Sequence, residues 1–485
     1  MLLAVIGLGI GWSAKATCAQ SYRMDGGQVV LDWRDYRQYD HYCYSDIIPL
    51  YGLERLQDGD LPYKTGWVDD GNARTRYMEY PVVTGMLQYG VMRVTKSYLK
   101  ATQGLANPDP PEVVVYFALM AAVLALCWLI AVRCTIPLAA RPWDVALMAL
   151  SPLIMVHAFT NFDTLAVALG AAGMLAWARQ KPGAAGVLFG LGAAAKLYPL
   201  FILGPLLVLC LRTGRMGPWW RALTGAVSAW LVVNLPFMVL YPHGWWEFFR
   251  LNSMRPADHD SIYNAISVFT GWAGFDGPLA ANQAPEKLNL VSLGLFVLAC
   301  LAVAAIGLTA ARRPRVASLA FLLVAAFLLT NKVWSPQYSL WLVPLAVLAL
   351  PRWIPLLAWM SVDAYVWYPR MGYFLGMAVP GRGNSPERFL SVVLIRDLLV
   401  VIVCGLIVRT IYWPQTDPVR AAGFDDPAGG PLDGAADRPA GRLGWSGWSG
   451  ATPASAPDAT AEPDAAPDPV TSRSRPSVGD HRQTP

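Results

Sequence analysis

Residues 113–132 read VVVYFALMAAVLALCWLIAV, a run of twenty positions without a charged side chain. A second uncharged run covers residues 288–311. Because a helix needs about 20 apolar residues to span the hydrocarbon core of a bilayer, each run predicts a transmembrane helix. Apolar runs of this length have no comparable place in the core of a water-soluble domain. The two runs therefore predict a membrane protein built from helices.

The composition of the whole chain agrees with this prediction. Of its 485 residues, 55% are hydrophobic and 15% are charged, whereas soluble proteins carry about 25% charged residues. Further apolar segments are expected at residues 81–98, 143–159, 162–178, 183–210, 222–241, 316–331, 337–350, 354–368 and 389–412. We therefore expect an all-α polytopic membrane protein, a bundle of about 10–12 transmembrane helices.

Basic residues mark the loops on one side of the predicted membrane. They cluster in short loops between apolar segments, at Arg133, Arg141, Arg179, Lys181, Arg212, Arg215, Arg221, Arg312, Arg313, Arg315 and Arg352. By the positive-inside rule these loops face the cytoplasm. The sequence lacks a basic patch interleaved with aromatic residues on a soluble face, so we expect membrane lipids and no nucleic acid as partners.

Four regions are expected along the chain. We expect residues 1–19 to form a first, truncated transmembrane helix and residues 20–80 to form a large first extracytoplasmic loop. Residues 81–413 form the polytopic domain, whose second external loop covers residues 242–287. Residues 414–485 are rich in Pro, Ala, Gly, Asp and Ser and bury too little apolar surface to offset their ordering entropy. We expect them to form a disordered cytoplasmic tail.

Local features add two expectations about the early part of the chain. Pro81, Arg93 and Lys96 favour a re-entrant or interfacial segment at residues 81–98, and the segment 183–210 should break near Tyr198-Pro199.

Cys18 and Cys43 both fall outside the membrane in this topology, which leaves a disulfide between them open. The seven cysteines show no CxxC motif and no Cys/His spacing of a metal site.

Polar side chains near the bilayer are costly and therefore indicate function. With the basic loops inside, several such groups meet on the outer side of the membrane. They come from the first loop, the tip at 157–163, the segment after 190, the second loop and the tip at 331–338: Asp46, Glu79, Asp163, Lys196, Arg255, Lys332, Gln337 and Tyr338. This convergence predicts an external cavity that holds carboxylates, cations and amides beneath aromatic loops.

Four motifs, in this order, resemble membrane glycosyltransferases of the GT-C type. SDIIPLYGLERLQDGDLPY at 45–63, followed by EYP at 79–81, resembles their first external loop. NFDTLA at 161–166 and GLGAAAKLYP at 190–199 look like glycosyltransferase family 87, which contains actinobacterial mannosyltransferases that depend on polyprenyl-phosphate mannose. NKVWSPQYSLW at 331–341 is similar to a late motif in the first mannosyltransferase of GPI-anchor synthesis.

The resemblance implies an enzyme that moves a sugar, with mannose expected, from a polyprenyl-phosphate donor to a lipid or glycan acceptor on the extracytoplasmic side. An Asp of the first external loop is the catalytic base in GT-C enzymes, and Asp46 is the residue that matches. Donor binding is then expected from Glu79, Asp163, Lys196, Arg255, Lys332, Gln337 and Tyr338, because cations and hydrogen-bond donors should surround the departing phosphate. No cofactor and no metal site are expected, and the doublet Asp69-Asp70 is not interpreted as one.

Each assignment has a plainer alternative. Asp32, Asp35 and Asp40 are other carboxylates of the first loop that would serve as the base. In these structural alternatives, Asp46 or Glu79 caps the N-terminus of a helix, and Asp163 stabilises a helix through its dipole. Lys196 extends its ammonium towards the membrane interface. We assign no catalytic or binding role to His157, His243 or His259. We expect Arg396-Asp397 to pair with neighbouring helices.

Two other functional classes compete with the enzyme. A transporter or flippase of a lipid-linked glycan would show repeated halves with interrupted helices in matching positions, and this sequence shows no such symmetry. A non-catalytic glycan-binding relative would keep the fold but would not depend on Asp46.

Overall fold

Helices make up the structure of this protein. The computed structural model describes residues 1–69, 74–105, 109–280 and 282–440, and 70% of these described residues are helical. Five helices in the described part are long and apolar enough to cross a membrane: Leu2–Ala19, Glu112–Leu138, Met216–Leu240, Glu286–Thr309 and Pro386–Tyr412. The prediction of an all-α polytopic membrane protein is confirmed.

The α-helices are numbered in chain order as follows: α1 (Leu2–Ala16), α2 (Arg37–Asp40), α3 (Ile47–Leu53), α4 (Val82–Thr102), α5 (Glu112–Thr135), α6 (Ala146–Ala149), α7 (Pro152–His157), α8 (Asp163–Ala178), α9 (Pro182–Ala193), α10 (Tyr198–Phe201), α11 (Leu203–Thr213), α12 (Met216–Leu240), α13 (Pro242–Met254), α14 (Ile262–Thr270), α15 (Glu286–Thr309), α16 (Val316–Thr330), α17 (Leu342–Ala349), α18 (Trp353–Tyr365), α19 (Trp367–Ala378), α20 (Pro386–Tyr412) and α21 (Pro418–Ala421). A 3-10 helix, Pro336–Trp341, leads into α17. Several apolar helices of 10–17 residues accompany the five long ones.

The described strands form two short antiparallel hairpins within the first loop. One pairs β1 (Ser21–Arg23) with β2 (Val29–Leu31), with Tyr22 opposite Val30. The other pairs β3 (Trp67–Asp69) with β4 (Arg74–Arg76), with Val68 opposite Thr75. The first loop therefore has a backbone framework of its own, built outside the apolar helices.

Close packing of α9 on α12 sets the position of the segment that follows α9. A Cβ atom added at Gly186 would lie 1.9 Å from the Ala222 carbonyl oxygen, and one at Gly190 would lie 2.2 Å from that of Ala226. Small residues permit this approach of two backbones, as in other membrane helix pairs. The chain leaves α9 after Ala193 and re-enters a helix at Tyr198, so a break lies where the Tyr198-Pro199 pair predicted one.

A disulfide anchors the start of the first loop. Cys18, just after α1, is bonded to Cys43, with 5.5 Å between their Cα atoms. The helix α1 packs against α5, α6 and α7, so the bond ties residue 43 to the bundle. The disulfide that the sequence left open is present, and it lies three positions before Asp46 in the chain.

Two loop regions contain more helix than the sequence indicated. The second loop includes α13 and α14, and the segment after 366 forms α19, which the apolar pattern did not reveal. Residues 82–102 form one helix, α4, which packs on α5 and α12 but is too polar to stand among the five long apolar helices.

The expectation of disorder from residue 414 is wrong for residues 414–440, which we name the strap. The strap packs against the basic loops: Asp417 pairs with Arg315 at 2.8 Å and Asp437 pairs with Arg212 at 2.5 Å. The indole of Trp177 donates a hydrogen bond to the Gly429 carbonyl at 3.0 Å. Ion pairs and backbone hydrogen bonds order this segment, and a composition argument that counts only apolar burial misses them. Residues 441–485, including the repeat WSGWSG, lie outside the described residues.

Candidate functional site

The carboxylate of Asp46 is the centre of the candidate site. Asp46 is half-buried directly before α3, and its backbone N–H donates to the Thr160 carbonyl at 2.8 Å. Its side chain makes no capping hydrogen bond to the helix. Instead, Asn161 Nδ2 donates to Asp46 Oδ2 at 2.8 Å. The carboxylate is thus turned towards the tip at 157–163 and not towards its own helix.

Asn161 fixes this arrangement through all of its polar atoms. Its Oδ1 accepts from the Phe162 N–H at 2.7 Å, so its Nδ2 must face the other way. Nδ2 donates to the Tyr80 hydroxyl at 2.7 Å as well as to Asp46. Because the Tyr80 oxygen accepts this bond, its own proton is available for a further acceptor, and no such acceptor is found among the described residues.

Two tyrosines supply protonated hydroxyls beside Asp46. Burial, with the nearby Asp46 carboxylate as a second cause, raises the pKa of Tyr44 and that of Tyr80 well above the ordinary value. The Tyr44 hydroxyl also interacts with the Asp46 carboxylate. Both phenols therefore keep their protons at neutral pH and act as hydrogen-bond donors.

Lys196 and Asp163 form a buried ion pair next to Tyr80. Their Nζ and Oδ1 atoms are 3.8 Å apart, and the Trp341 indole donates to the same oxygen at 2.8 Å. Asp163 Oδ2 is buried and has no hydrogen-bond partner in the described part of the chain. The ammonium of Lys196 lies 5.2 Å from the ring centre of Tyr80 and 5.1 Å from that of Tyr338. Lys196 thus points into the protein, which argues against the interface alternative.

Glu79 and Arg255 border this cluster. Glu79 Oε2 lies 3.5 Å from Arg76 Nη2, and Pro81, not Glu79, is the residue that caps α4. Arg255 is exposed at the end of α13 and interacts electrostatically with Tyr338 and Glu79. The structure therefore brings six of the eight predicted residues together: Asp46, Glu79, Asp163, Lys196, Arg255 and Tyr338.

Lys332 and Gln337 are buried beside the cluster instead of opening onto it. The Lys332 ammonium donates to the carbonyls of Arg255 (2.6 Å) and Ser253 (3.3 Å) and to Asn289 Oδ1 (2.5 Å). Its three protons are thus all engaged, and Lys332 fixes the backbone of Arg255. Gln337 is buried in the 3-10 helix Pro336–Trp341. In the same helix the rings of Tyr338 and Trp341 are stacked, with 4.3 Å between their centres.

Two cations near Asp46 were not predicted from the sequence. Lys15 at the end of α1 is buried, donates to the Tyr44 carbonyl at 2.7 Å and lies 3.9 Å over the Trp367 ring. Arg370 on α19 pairs with Asp260 at 2.8 Å. Both interact electrostatically with Asp46. The sequence hides them because Lys15 ends an apolar run and Arg370 lies in a helix that the apolar pattern did not reveal.

The alternative carboxylates of the first loop occupy other surroundings. Asp32 is 2.8 Å from Arg34, whose hydrogen bond lowers the pKa of Asp32 below its ordinary value. Asp40 is exposed and lies 3.5 Å from Arg382, and Asp35 is exposed as well. A carboxylate that is stabilised in its charged form is a weaker base, which makes Asp32 less suited to remove a proton.

The histidines and the Arg396-Asp397 pair lie outside the centre. His157 is buried against Trp367, His259 contacts Tyr373, and His243 is exposed. Arg396 donates to Asp397 and to the Asp260 carbonyl, at 2.9 Å each. Asp70 lies outside the described residues, and the residues that are described contain no group of three His, Cys, Asp or Glu side chains able to hold a metal ion.

A bundle of apolar helices that holds a carboxylate, tyrosine hydroxyls and cations at one end is suited to group transfer at a membrane. The sequence model of glycosyltransferase family 87 matches residues 104–336. This match confirms the similarity that the motifs indicated: the chain is similar to glycosyltransferase family 87 over these residues, which supports a membrane glycosyltransferase of the GT-C type. A search of curated proteins finds no match to the chain.

The match covers only part of the candidate site. Asp163, Lys196, Arg255 and Lys332 lie within it, whereas Asp46 and Glu79 precede it and Gln337 and Tyr338 follow it directly. The role of Asp46 therefore depends on its geometry and on the motif of the first loop.

Proposed function

We propose that this glycosyltransferase moves mannose from a polyprenyl-phosphate donor to a lipid or glycan acceptor on the extracytoplasmic side of the membrane. Asp46 is the general base in this proposal. The observation that carries it is the half-buried Asp46 carboxylate, held by Asn161 at 2.8 Å beside the Lys196–Asp163 pair. A base and a cation close together are what transfer from a phosphate-linked sugar requires.

The proposed reaction is a single displacement in which each group has a task. Asp46 takes the proton of the acceptor hydroxyl as its oxygen attacks the anomeric carbon of the sugar. The bond between that carbon and the donor phosphate oxygen breaks, and polyprenyl phosphate leaves with the bonding electrons. Lys196 and Arg255 stabilise the negative charge of the departing phosphate, because charge-assisted contacts strengthen as charge develops there.

Sugar recognition would use the polar atoms that still have bonding capacity. Asp163 Oδ2 has no hydrogen-bond partner among the described residues and would accept from a sugar hydroxyl. The Tyr80 proton is available to donate to one. A buried polar atom without a partner costs free energy, so a bound sugar that satisfies both groups would bind more tightly.

Two observations support the extracytoplasmic side. The disulfide Cys18–Cys43 lies next to Asp46, and disulfides persist mainly in oxidising compartments. The basic loops gather at the other end of the bundle, where the strap covers them, and loops rich in Arg face the cytoplasm.

The donor is tested with purified protein in nanodiscs and radiolabelled polyprenyl-phosphate mannose, with a total lipid extract as acceptor. Polyprenyl-phosphate glucose, a polyprenyl-phosphate pentose and GDP-mannose serve as competing donors. The proposal expects label to enter a new lipid or glycan from polyprenyl-phosphate mannose and not from the nucleotide sugar. Transfer from GDP-mannose alone would contradict it, and movement of an intact lipid-linked glycan across vesicles without transfer would support a flippase instead.

The side of the membrane is tested by labelling single cysteines in intact cells. Asp40→Cys is exposed near the site, and Arg215→Cys is exposed near the strap. A maleimide that cannot cross the membrane should label Asp40→Cys only. Labelling of Arg215→Cys alone would reverse the orientation.

A further inference from the structure

A cavity of about 270 Å³ lies beside the Asp46 cluster without including any of the eight predicted residues. It is formed by β4, by one face of α13 and by residues 279, 280, 282 and 283. Its wall combines three arginines with apolar side chains, among them Arg74, Arg76, Arg250, Leu251, Met254 and Leu279. The proposed reaction does not use this cavity.

The charges of the cavity wall are predominantly positive. Arg250 and Arg76 both pair with the buried carboxylate of Glu247, at 2.5 and 3.2 Å. Arg76 also lies 3.5 Å from Glu79. Arg74 is half-buried, and its side chain has no ion-pair or hydrogen-bond partner among the residues that the structure describes. Two guanidinium groups therefore flank one buried carboxylate, and Arg74 adds a third positive charge to the wall, so the cavity should attract an anion.

The helix α13 carries the cavity wall and an exposed aromatic surface on neighbouring faces. Trp246 and Phe249 are exposed, whereas Arg250, Leu251 and Met254 line the cavity. Because residues four positions apart are neighbours on a helix surface, Trp246 lies next to Arg250. Aromatic residues of this kind are typical of the interface between membrane and water. A molecule with an anionic headgroup and an apolar tail would therefore find the arginines and an apolar surface next to each other.

We propose that this cavity binds the anionic headgroup, phosphate or carboxylate, of a lipid acceptor. The inference rests on the proposed function, because it assigns the acceptor side of the same reaction. Arg76 of the cavity wall lies 3.5 Å from Glu79, and Glu79 interacts electrostatically with Asp46, so these residues connect the cavity to the site. The headgroup is held at Arg74, Arg76 and Arg250 while the reacting hydroxyl extends past Glu79 to Asp46.

The first test measures binding without any donor, so that it does not depend on transfer activity. The full-length protein in neutral detergent is titrated with short-chain phosphatidylglycerol, short-chain phosphatidylcholine, glycerol 3-phosphate and inorganic phosphate. The proposal expects phosphatidylglycerol to bind at least about ten-fold more tightly than the other three, because only it combines a net negative charge with an apolar tail. Equal affinity for both lipids, or for phosphatidylglycerol and the free phosphates, would overturn it.

The second test assigns the binding to the cavity. Arg74→Gln should weaken phosphatidylglycerol binding about ten-fold, and Arg74→Lys should recover most of the loss. Arg23→Gln is the matched control, since Arg23 is an exposed arginine of the first loop outside the cavity. Thermal unfolding of each variant verifies its fold. An equal loss in Arg74→Gln and Arg23→Gln would contradict the proposal.

Kinetics then separate the acceptor from the donor. In the transfer assay, Arg74→Gln should raise the KM for an anionic lipid acceptor and leave the KM for the donor unchanged. A rise in the donor KM alone would assign the cavity to the donor phosphate and overturn the inference. Absence of transfer by the wild type, with phosphatidylglycerol binding intact, would instead contradict the proposed function.

Discussion

The two ends of the helix bundle both concentrate charge, but they use it differently. At the strap, Arg315 donates to both oxygens of Asp417 and to the carbonyls of Leu348 and Ala349, at 2.5–3.1 Å. At the site, Lys196 is 3.8 Å from Asp163, and Asp163 Oδ2 has no partner among the described residues. Charges at the strap are nearly saturated by the protein, whereas charges at the site retain bonding capacity.

This difference separates structural charges from charges that serve a ligand. A buried guanidinium with four of its five N–H donors engaged, as in Arg315, contributes to a single folded arrangement and has little capacity left to bind a ligand. A buried carboxylate oxygen without a partner destabilises the empty site and favours a ligand that supplies a donor. Lys332 shows that position alone is not sufficient, because it lies beside the site and yet resembles Arg315 in having its donors engaged by the protein.

The largest effect on stability should come from the buried pair of the strap. Asp417→Ala leaves Arg315 buried without its counter-ion, and loss of one partner from a buried pair costs about 3–5 kcal/mol. Unfolding in mixed micelles should show this decrease, while transfer per folded molecule stays as in the wild type. A loss of less than about 1 kcal/mol would mean that the strap is not part of the folded unit.

The disulfide should contribute slightly less to the free energy of unfolding than the buried Arg315–Asp417 pair does. The double variant Cys18→Ser/Cys43→Ser opens a link between residues 25 positions apart, which corresponds to about 3 kcal/mol of unfolded-state entropy. Because the bond holds the segment before Asp46, the variant should also lose transfer activity. Unfolding and transfer are measured with and without reductant on the wild type as the control. Unchanged activity after reduction would separate the disulfide from the site.

Asn161→Ala tests whether the amide positions Asp46. The variant removes the donors to Asp46 and Tyr80, and kcat should fall about ten-fold, a loss of about 1.4 kcal/mol in transition-state stabilisation. Asn234→Ala is the matched control, because Asn234 is equally buried but bonds to Trp230 and Trp245. A similar fall in kcat for both variants would indicate a general effect of cavity formation.

The smallest effect should come from an exposed pair of the strap. Asp425→Asn weakens the contact with Arg312 at 2.8 Å, in which both side chains are about half exposed. It also weakens longer contacts with Arg313 and Arg420 at 3.6 and 3.4 Å, in which Asp425 is the exposed partner. Exposed ion pairs contribute less than about 1 kcal/mol, and salt screens them. Unfolding should therefore differ little from the wild type, and the difference should vanish at high salt. A loss of stability as large as that of Asp417→Ala would contradict the expectation that buried ion pairs of the strap contribute more than exposed ones.

The sequence predicted those features of the fold that follow from local pattern. The run of residues 113–132 is long and apolar enough to predict a long helix. The proline of Tyr198-Pro199 predicts an interruption of the helical segment in which it lies. Residues 414–440 were misjudged because their order comes from partners about 100–225 positions away, such as Arg315 for Asp417 and Arg212 for Asp437. Spacing along the chain carries no information about such pairs.

The sequence predicted only part of the candidate site, again because spacing along the chain does not show which residues meet in the folded protein. Titratable residues in the loop motifs led to Asp46, Asp163 and Lys196, which the structure brings together. Asn161 and Tyr80 were present in the same motifs, but an amide and a phenol carry no charge that would single them out. Lys332 was assigned to the donor because of its charge, and only the three acceptors around its ammonium reveal its structural use.

The most direct test of the account compares Asp46→Asn with Asp40→Asn in the transfer assay. Both substitutions remove one carboxylate of the first loop, but only Asp46 contacts Asn161 in the cluster. We expect Asp46→Asn to fold normally and to lower kcat about 100-fold or more, which is the contribution of a general base. Asp40→Asn should retain the activity of the wild type. Undiminished transfer by Asp46→Asn, or an equal loss in both variants, would contradict the central claim that Asp46 is the base.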